Sequence, residues 1–506
     1  MVMNLKYKGS DTKMKAAVIC DMHLSFDTKS VQYDVFEWAV EDINKNEVDV
    51  LLVAGDQTAN GDTKAVDKYI EIISKVNCPV FSVLGNSDVR TKENIDYVQQ
   101  LESPKVQCIC DKYVYAINTS HGVISDEDKE VLLNSASNCI VLMHHPISEL
   151  NEKDRLFMGE WKEKHNNSCI ICGHLHKRIF KDKEFCVQAL DPDKAIGEPP
   201  CITYFDFSEN DIRCDFSYFP FEKAKDISDY IGISCFNILE DIDFAIEKQI
   251  KNIELRPEAI NMAVNDAIIA IEKFRMSGGK YVSLHMPDIV IDKTGVFTNV
   301  EKWDLAVAFA NSINVNGVTI HVPQVSVENM RQSYIFNKVV SFYIEYINKL
   351  PENCVVGIEN MHMTSKDKAD DSRRFGYVPE ECLLLINEIN NKFEKNRVGM
   401  LLDVGHARNN PPFSQKYTIS SWYELVGKLT VGYHVHQVTI NSDGSMNNHT
   451  AINSIFGPLI SYCSFFYSWN KDLINKCPVF MEIRGGIENY IPSVKSFTES
   501  NNREFE

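Results

Sequence analysis

Features that mark several other protein classes are scarce in this chain. Glycine (23) and proline (17) are few among its 506 residues, which excludes a collagenous or low-complexity chain. No uninterrupted apolar run reaches the ~18 residues that a membrane-spanning helix needs. Residues 1–15 are polar and lack the apolar segment of a secretory signal. The sequence therefore predicts a soluble, cytoplasmic globular protein without a membrane partner.

Positive charge is also scarce. The chain has 52 lysines and arginines against 71 aspartates and glutamates, which gives a formal net charge of −19. This balance argues against a protein that coats nucleic acid or anionic membrane by bulk charge. Any recognition of phosphate must then be local, and bound metal ions could supply it.

A framework of paired cysteines is missing as well. The 15 cysteines are odd in number, and several of them, such as Cys20, Cys169 and Cys172, lie inside apolar runs. This usage indicates buried, reduced thiols in a reducing compartment. With no second C-x-x-C pair present, we interpret Cys169 and Cys172 as strand residues and not as a redox or zinc pair.

The length predicts two domains, because single hydrophobic cores stop growing at ~250–300 residues. Between residues 14 and 219, short β-branched runs alternate with amphipathic stretches, which predicts a layered α/β domain. A charged stretch at 219–228 marks the predicted boundary. Eight further strand candidates then alternate with helical stretches, at 230–236, 252–255, 281–284, 317–320, 354–358, 398–402, 431–434 and 478–483. The fold class predicted is α/β, with a (β/α)8 barrel over residues 229–497 following the first domain over 14–219.

Polar side chains stand at the ends of the predicted strands of the first domain. They are Asp21 and His23, Asp56, Asn86, His144 with His145, and His174 with His176. Residues i and i+2 of an extended segment point the same way, so Asp21 and His23 can reach one ion. Such groups at five strand ends predict a metal-binding site.

The order of these motifs, D-x-H, G-D, G-N, H and G-H-x-H, resembles the calcineurin-like metallophosphoesterase family over residues 14–219. The resemblance implies two divalent ions of manganese, iron or zinc. One would be held by Asp21, His23, Asp56 and His176, and the other by Asp56, Asn86, His144 and His174. Asp56 would bridge the two ions, which together can bind phosphoryl oxygens and activate water for phosphoester hydrolysis.

Two positions depart from the family pattern. Ser87 stands where many members have a histidine that protonates the leaving group, and the second aspartate often found after G-D is absent after Asp56. His145 is the nearest candidate for the missing acid. We therefore predict Asp56 and His145 as catalytic residues.

Polar residues again follow the strands of the predicted barrel, at the face where barrel enzymes keep their sites. They are His285, His321, Glu359, Asp403, His406, His434, His449 and Glu482. The pattern resembles the xylose-isomerase-like barrels, and the endonuclease IV family more than the sugar isomerases. Isomerases and epimerases need chiefly a quartet around one ion, which here would be Glu359, Asp403, His434 and Glu482. The endonuclease branch holds three zinc ions, with further ligands that correspond here to His285, His321, His406 and His449.

The barrel resemblance implies one to three divalent ions, zinc or manganese, with Glu359 as a catalytic residue. Asn447 stands where the endonucleases have a carboxylate, so a weak or missing third ion is expected. Arg373 and Arg374 are candidates for binding a substrate phosphate, with a solvated pair of loop charges as the alternative.

Two further barrel residues have open interpretations. His436 shares the face of His434 by alternation, and we interpret it as lying outside the ligand set. Glu254 ends the second barrel strand, where it could contact substrate or pair with Arg256.

Three functions remain open from the sequence. The leading hypothesis is a two-site, metal-dependent phosphodiesterase or nuclease whose substrate is a phosphorylated small molecule or nucleic acid. The second is a sugar isomerase or epimerase barrel fused to a phosphatase domain, and the third is a nucleotide sensor or assembly module without catalysis. A requirement for His285 would separate the first from the second, and the sequence leaves the oligomeric state undetermined.

Overall fold

The computed structural model describes residues 13–208, 211–364, 367, 373–442 and 444–499. Contacts divide the chain into two compact units. The first contains the chain up to Phe221 together with Ser461–Ser464, and the second contains Glu222–Ile460 and the chain from Phe465 onward. Within the described ranges, no helix is both long and apolar enough to cross a membrane.

The first unit is built from two sheets. Its strands are β1 Met14–Ile19, β2 Val50–Ala54, β3 Val80–Val83, β4 Val106–Ile109, β5 Lys112–Ala116, β6 Cys139–Leu142, β7 Cys169–Cys172, β8 Ile179–Lys181, β9 Glu184–Cys186, β10 Cys201–Phe207 and β11 Ile212–Tyr218. One sheet has the order β11-β10-β1-β2-β3 and the other β4-β5-β6-β7-β9-β8. The helices are α1 Val31–Lys45, α2 Thr63–Ile73, α3 Ile95–Val98, α4 Asp126–Leu133 and α5 Glu152–Lys164.

One apolar core joins the two sheets of the first unit. Val18 and Leu52 from the first sheet and Ile140 and Ile171 from the second belong to the same buried cluster. Strand β1 pairs in parallel with β2, and β6 pairs in parallel with β7. These four central strands are buried almost throughout, as parallel strands covered on both faces must be. Their carboxyl ends therefore bring the predicted polar residues to one edge of the core.

The second unit contains a closed barrel of eight parallel strands. They are β12 Ile231–Cys235, β13 Asn252–Leu255, β14 Tyr281–His285, β17 Gly317–His321, β18 Val355–Glu359, β19 Val398–Asp403, β20 Thr430–Val435 and β23 Val479–Met481, in this order around the barrel. Two hairpins lie outside it, β15 Val290–Ile291 with β16 Phe297–Thr298, and β21 Gln437–Ile440 with β22 Met446–Thr450. The predicted α/β fold class, a layered domain followed by an eight-stranded parallel barrel, is confirmed.

Helices alternate with the barrel strands, as the sequence periodicity predicts. They are α6 Ile238–Glu247, α7 Val264–Met276, α8 Val300–Ser312, α9 Val327–Met330, α10 Ser333–Lys349, α11 Pro379–Asn390, α12 Val404–Arg408, α13 Phe413–Lys416, α14 Ile419–Val426, α15 Cys463–Asn470 and α16 Ile487–Thr498.

Several barrel strands are longer at their carboxyl ends than the sequence predicts. His285, His321, Glu359 and Asp403 are each the last residue of a strand and not the first residue of a loop. The parallel ladder includes them, because His321 lies beside Glu359 and Asp403 lies beside His434 in the register of neighbouring strands. The candidate ligands are thus held by sheet hydrogen bonds, which fixes their backbones more firmly than a loop would.

The cysteines agree with the expectation of reduced thiols. All of them lie in the described ranges, and all are free. Cys169 and Cys172 are buried in β7, as the packing interpretation of this pair predicts.

Candidate functional site

The candidate site of the first unit centres on the carboxylate of Asp56. Its Oδ2 lies 3.1 Å from His23 Nε2 and 3.5 Å from His144 Nε2. Ligand atoms of Asp21, His23, Asp56 and His176 all lie within 4.8 Å of one another, which is close enough for a shared ion. The structure thus brings together the four residues predicted for the first ion.

A second group of possible ligands lies on the other side of Asp56. His144 Nδ1 donates a hydrogen bond to the carbonyl of Ala54 at 2.9 Å, which leaves a lone pair on its Nε2. That atom lies 3.1 Å from Asn86 Oδ1 and 3.3 Å from His174 Nδ1. Residues Asn86, His144 and His174, predicted for the second ion, therefore converge.

The orientation of the Asn86 amide depends on what lies between these atoms. With its oxygen toward the two imidazoles, Asn86 Oδ1 can accept from His174 Nδ1 if that nitrogen carries the ring proton. With the amide reversed, its NH2 would donate to both ring nitrogens and its oxygen would accept from Arg90 Nη2.

Backbone strain marks the same residues. Asp21, His23, Asp56, His174 and His176 all have positive φ, between 45° and 73°. Such values are uncommon for residues with side chains and cluster at functional sites, where the surrounding fold imposes them.

Two motif glycines leave room for the candidate ligands. A Cβ at Gly85 would lie 2.1 Å from Asp56 Oδ1, and one at Gly173 would lie 2.8 Å from Asp21 Oδ2. Any larger residue would displace a carboxylate. The glycines of the G-N and G-H motifs are therefore explained by close approach of the acidic side chains.

The pKa values of the two buried aspartates are shifted in opposite directions. Burial and the neighbouring Asp56 raise the pKa of Asp21 well above its ordinary value. Burial also opposes ionisation of Asp56, but His144 and His23 outweigh it and hold the pKa of Asp56 well below the ordinary range. Two carboxylates and several imidazoles in one buried space are the donor set that a pair of divalent cations would neutralise.

His145, the predicted proton donor, lies against this cluster. Its ring centre is 4.1 Å from that of His174 and 4.9 Å from that of His144. Burial and the imidazoles of His144 and His174 lower the pKa of His145 to about 3. A neutral ring near pH 7 is better suited to accept a proton or bind a metal than to act as the cationic acid that the sequence predicts.

Sequence reasoning missed the residue behind His23. Asp191 Oδ2 lies 3.4 Å from His23 Nδ1, and both side chains are buried. A carboxylate at this place orients the ring so that Nε2 faces Asp56. Asp191 lies in Leu190-Asp191-Pro192, and no strand-end motif marked it.

In the barrel, both oxygens of Glu359 face imidazoles. Its Oε2 lies 3.2 Å from His285 Nε2 and 3.1 Å from His321 Nε2. Its Oε1 lies 3.3 Å from His434 Nδ1. Glu359 thus belongs both to the group His285, His321, Glu359 and to the quartet Glu359, Asp403, His434, Glu482, in each of which the ligand atoms lie within 4.8 Å.

The quartet carries an excess of buried negative charge. Asp403 Oδ2 and Glu482 Oε2 are buried atoms without a hydrogen bond of good geometry among the described residues. Burial lowers the pKa of His434, but Glu254, Glu482 and Glu359 outweigh it and raise the pKa well above its ordinary value. These residues fit a divalent cation, because a buried carboxylate oxygen without a hydrogen bond is costly.

The structure answers the open question about Glu254. Its Oε2 accepts a hydrogen bond from His434 Nε2 at 2.7 Å, and its Oε1 accepts one from Thr319 Oγ1 at 2.5 Å. The guanidinium of Arg256 pairs instead with Glu482. Glu254 is thus a buried residue that orients His434.

Asp288, which the sequence did not single out, has the same relation to His321. Its Oδ1 lies 2.5 Å from His321 Nδ1, on the side of the ring opposite Glu359. A carboxylate behind a metal-binding histidine fixes its tautomer and raises its basicity.

His436 lies inside a group of possible ligands, contrary to its interpretation from the sequence. A third group consists of His406, His436 and His449, with ligand atoms within 4.8 Å of one another. Asn447, at the position of the missing carboxylate, is exposed in β22.

The two candidate phosphate-binding arginines are both in ion pairs. Arg373 contacts both carboxylate oxygens of Glu381, at 3.0 and 2.5 Å. Arg374 contacts both oxygens of Asp367, at 3.0 and 2.9 Å. These contacts correspond to the loop charge pair named as the alternative from the sequence, and they leave phosphate binding by either arginine without structural support.

Comparison with known proteins agrees with the geometry of the first unit. Residues 14–178 match the profile of the calcineurin-like phosphoesterase family. A probable cyclic nucleotide phosphodiesterase of Xenorhabdus bovienii is 26% identical over 200 residues, with 32% of this chain and 78% of that protein covered. The 3′,5′-cyclic adenosine monophosphate phosphodiesterase of Haemophilus influenzae is 22% identical over 240 residues, with 39% and 83% covered.

Solved structures similar to this chain include two sugar epimerases or epimerase-like proteins. A D-tagatose 3-epimerase-like protein has a TM-score of 0.36 at 16% identity, with 52% of this chain and 94% of that chain covered. The 3-keto-D-glucoside 4-epimerase of E. coli has a TM-score of 0.35 at 13% identity, with 53% and 97% covered.

The family match and the curated relatives cover the unit that contains the Asp56 cluster, and the second unit contains the parallel barrel. Residues 14–178 therefore resemble a calcineurin-like phosphoesterase domain, and this match supports a phosphoester hydrolase.

Proposed function

We propose that the chain is a two-site, metal-dependent phosphodiesterase, with domains at 14–219 and 229–497. The first site would hydrolyse a phosphodiester of a nucleotide, the class for which its curated relatives are named. The observation that carries this proposal is the position of Asp56, whose carboxylate faces His23 of one ligand group and His144 of the other.

The residues of the first site have distinct roles in this proposal. Two divalent ions, when bound, would supply Lewis acidity toward the phosphoryl oxygens and lower the pKa of water near neutral pH. Asp56 would lie between the ligand groups Asp21, His23, His176 and Asn86, His144, His174. His145, in ring contact with His174, is the candidate for moving a proton between water and substrate.

For the barrel we propose phosphodiester hydrolysis as well, with a nucleotide or nucleic acid as substrate. The arrangement of Glu359 supports it, because each of its oxygens faces a different group of imidazoles. Two divalent ions, if held by these groups, would supply the stabilisation that both the attacking and the leaving oxygen need in phosphoryl transfer. Zinc or manganese fits these imidazole and carboxylate ligands.

The second candidate for the barrel is a sugar isomerase or epimerase. The quartet Glu359, Asp403, His434 and Glu482 would by itself suffice for one ion in that chemistry. Proton transfer beside a carbonyl would then use one of its carboxylates as the base. In this alternative His285 and His321 would have no role in metal binding.

A substrate panel with one variant in each unit tests the proposal. Metal-loaded wild type, Asp56→Asn and Glu359→Gln would be assayed on bis(p-nitrophenyl) phosphate, 3′,5′-cyclic nucleotides, abasic-site DNA and free ketoses. We expect cyclic nucleotide hydrolysis to fall at least 100-fold in D56N only, and a second phosphodiesterase activity to fall in E359Q only. Ketose epimerisation lost in E359Q would select the alternative for the barrel, and a wild type inactive on every phosphodiester would refute the proposal.

A further inference from the structure

A cavity of about 300 Å³ lies in the first unit, next to the ligand group Asn86, His144 and His174. Leu84 lines this cavity two residues before Asn86, and two residues span at most about 7 Å. One wall of the cavity therefore continues directly into the loop that carries Asn86.

A second wall of the cavity is joined to the same ligand group through Thr119. Asn118 and Ser120, on either side of Thr119, both line the cavity. The hydroxyl of Thr119 accepts the backbone N–H of His144 at 3.1 Å. A molecule with its phosphate at the Asp56 site can thus extend another part into the cavity.

Most of the cavity surface is apolar, although polar side chains contribute to its lining. The apolar side chains are Leu84, Val89, Ile95 and Val123, and the polar ones include Glu102 and Lys105. This size and composition are typical of sites for small molecules. Apolar side chains suit the faces of a nucleobase, and polar groups suit its edge.

Glu102 presents an oriented carboxylate to the cavity. Its Oε1 accepts from Asn118 Nδ2 at 3.0 Å. Asn118 Oδ1 in turn accepts from the backbone N–H of Ser120 at 3.0 Å and from its hydroxyl at 2.7 Å, which fixes the orientation of the amide. In the part of the chain that the structure describes, Glu102 Oε2 has no hydrogen-bond partner. A carboxylate only accepts hydrogen bonds, so Glu102 suits a ligand edge that carries N–H donors.

Lys105 adds a donor to the same cavity. Its ammonium group pairs with Asp128, and two of its three N–H donors remain for another acceptor. Guanine carries two neighbouring donors, N1–H and the N2 amino group, beside the acceptor O6 on one edge. Adenine has an unprotonated N1 and a single donor group there. The polar groups of the cavity therefore match guanine better than adenine.

We propose that this cavity binds the guanine base of a nucleotide whose phosphodiester reaches the Asp56 site, with Glu102 as the residue that selects guanine. The inference rests on the function proposed for the first site. Glu102 accepts from N1–H and the N2 amino group of the base, and Lys105 donates to O6. The unprotonated N1 of adenine would face the carboxylate with no proton between them, and unpaired polar groups of this kind separate similar substrates.

Nucleotide affinities of the full chain test this selection. Manganese-loaded wild type and Glu102→Gln would be titrated with 5′-GMP and 5′-AMP by isothermal calorimetry. We expect wild type to bind GMP roughly 10-fold or more tightly than AMP, and E102Q to lose this preference, because hydrogen bonds to a charged acceptor are replaced by bonds to a neutral amide. Equal weakening of both nucleotides in E102Q would indicate a merely structural role and would overturn the proposal.

Glu130→Gln provides the matched control, because Glu130 is exposed on α4 and lies outside the cavity lining. E130Q should keep the GMP and AMP affinities of wild type, and circular dichroism should show every variant folded. Val123→Trp is a second variant at the cavity itself. Val123 is 44% exposed, so the fold should tolerate a larger side chain, which would fill the cavity and weaken GMP binding roughly 10-fold or more. V123W decides the location of the base if E102Q fails to fold.

Equal affinities of wild type for GMP and AMP would overturn the proposal, as would an unchanged GMP affinity in folded V123W. Hydrolysis of 3′,5′-cyclic GMP is measured separately on the same proteins. A wild type that prefers GMP but hydrolyses no phosphodiester would refute the function proposed for the first site and still support the base site. Hydrolysis without any preference between the two bases would refute the base site alone.

Discussion

Ser87 holds both carboxylate oxygens of Asp56. Its backbone N–H donates to Oδ1 at 2.7 Å and its hydroxyl donates to Oδ2 at 2.8 Å. Ser87, at the position where many family members have a histidine acid, therefore orients the central carboxylate. It cannot replace that histidine as a proton donor to the leaving group, so another residue must supply the proton.

Removing the hydroxyl of Ser87 should weaken metal binding in the first unit. A hydrogen bond to a charged group contributes about 1.5–3 kcal/mol, so we expect S87A to lower metal affinity roughly 10-fold or more. Competition with a chromophoric chelator measures this change. Ser168→Ala is the control, because Ser168 Oγ accepts from Cys139 N away from the ligands, and equal affinities in S87A and S168A would contradict the clamp.

Removing the carboxylate behind His434 should weaken the barrel quartet. Residues that orient a metal-bound histidine typically change affinity 10- to 100-fold, and we expect a loss in this range for Glu254→Gln. Zinc titration of metal-free protein measures it. The exposed Glu345, paired with Lys349, supplies the control variant E345Q. Wild-type zinc affinity in E254Q would show that His434 does not depend on Glu254.

His285 distinguishes the two candidate reactions of the barrel. In a hydrolytic site with ions on both sides of Glu359, H285A should lose one ion and at least 100-fold of the barrel's phosphodiesterase activity. His321→Ala should have the same effect, because both imidazoles face Glu359 Oε2. An epimerase that uses only the quartet would keep its activity in both variants.

Arg374 should contribute to stability and not to substrate binding. It pairs with both oxygens of Asp367, which also accepts from Tyr377 Oη at 2.6 Å. We expect R374A to lower the free energy of unfolding by about 2 kcal/mol. D367N should act on the same interaction, so the double variant should be less destabilised than the sum of the two. Thermal unfolding and KM, measured together, would refute this role if KM rises while stability is unchanged.

Much of the fold follows from the sequence. Apolar runs ending in polar residues predict the strands of both units, and the barrel strand 252–255 is found with exactly those bounds as Asn252–Leu255. Runs such as Val50–Ala54 are buried throughout, so burial alone explains their composition. The errors lie at strand ends, where the ladder continues through His285 and Glu359.

Hydrophobic periodicity and motif spacing are local properties, so they predict which residue types end the strands. Which of these residues face one another depends on how the strands and loops are arranged in the folded chain. Three carboxylates contact histidines that lie far from them along the chain: Glu254 contacts His434, Asp288 contacts His321 and Asp191 contacts His23. These pairings depend on the barrel register and on the course of the loops. His436 joins His406 and His449, and Arg373 and Arg374 pair with Glu381 and Asp367, because side-chain distances of a few ångströms are set by packing and not by alternation.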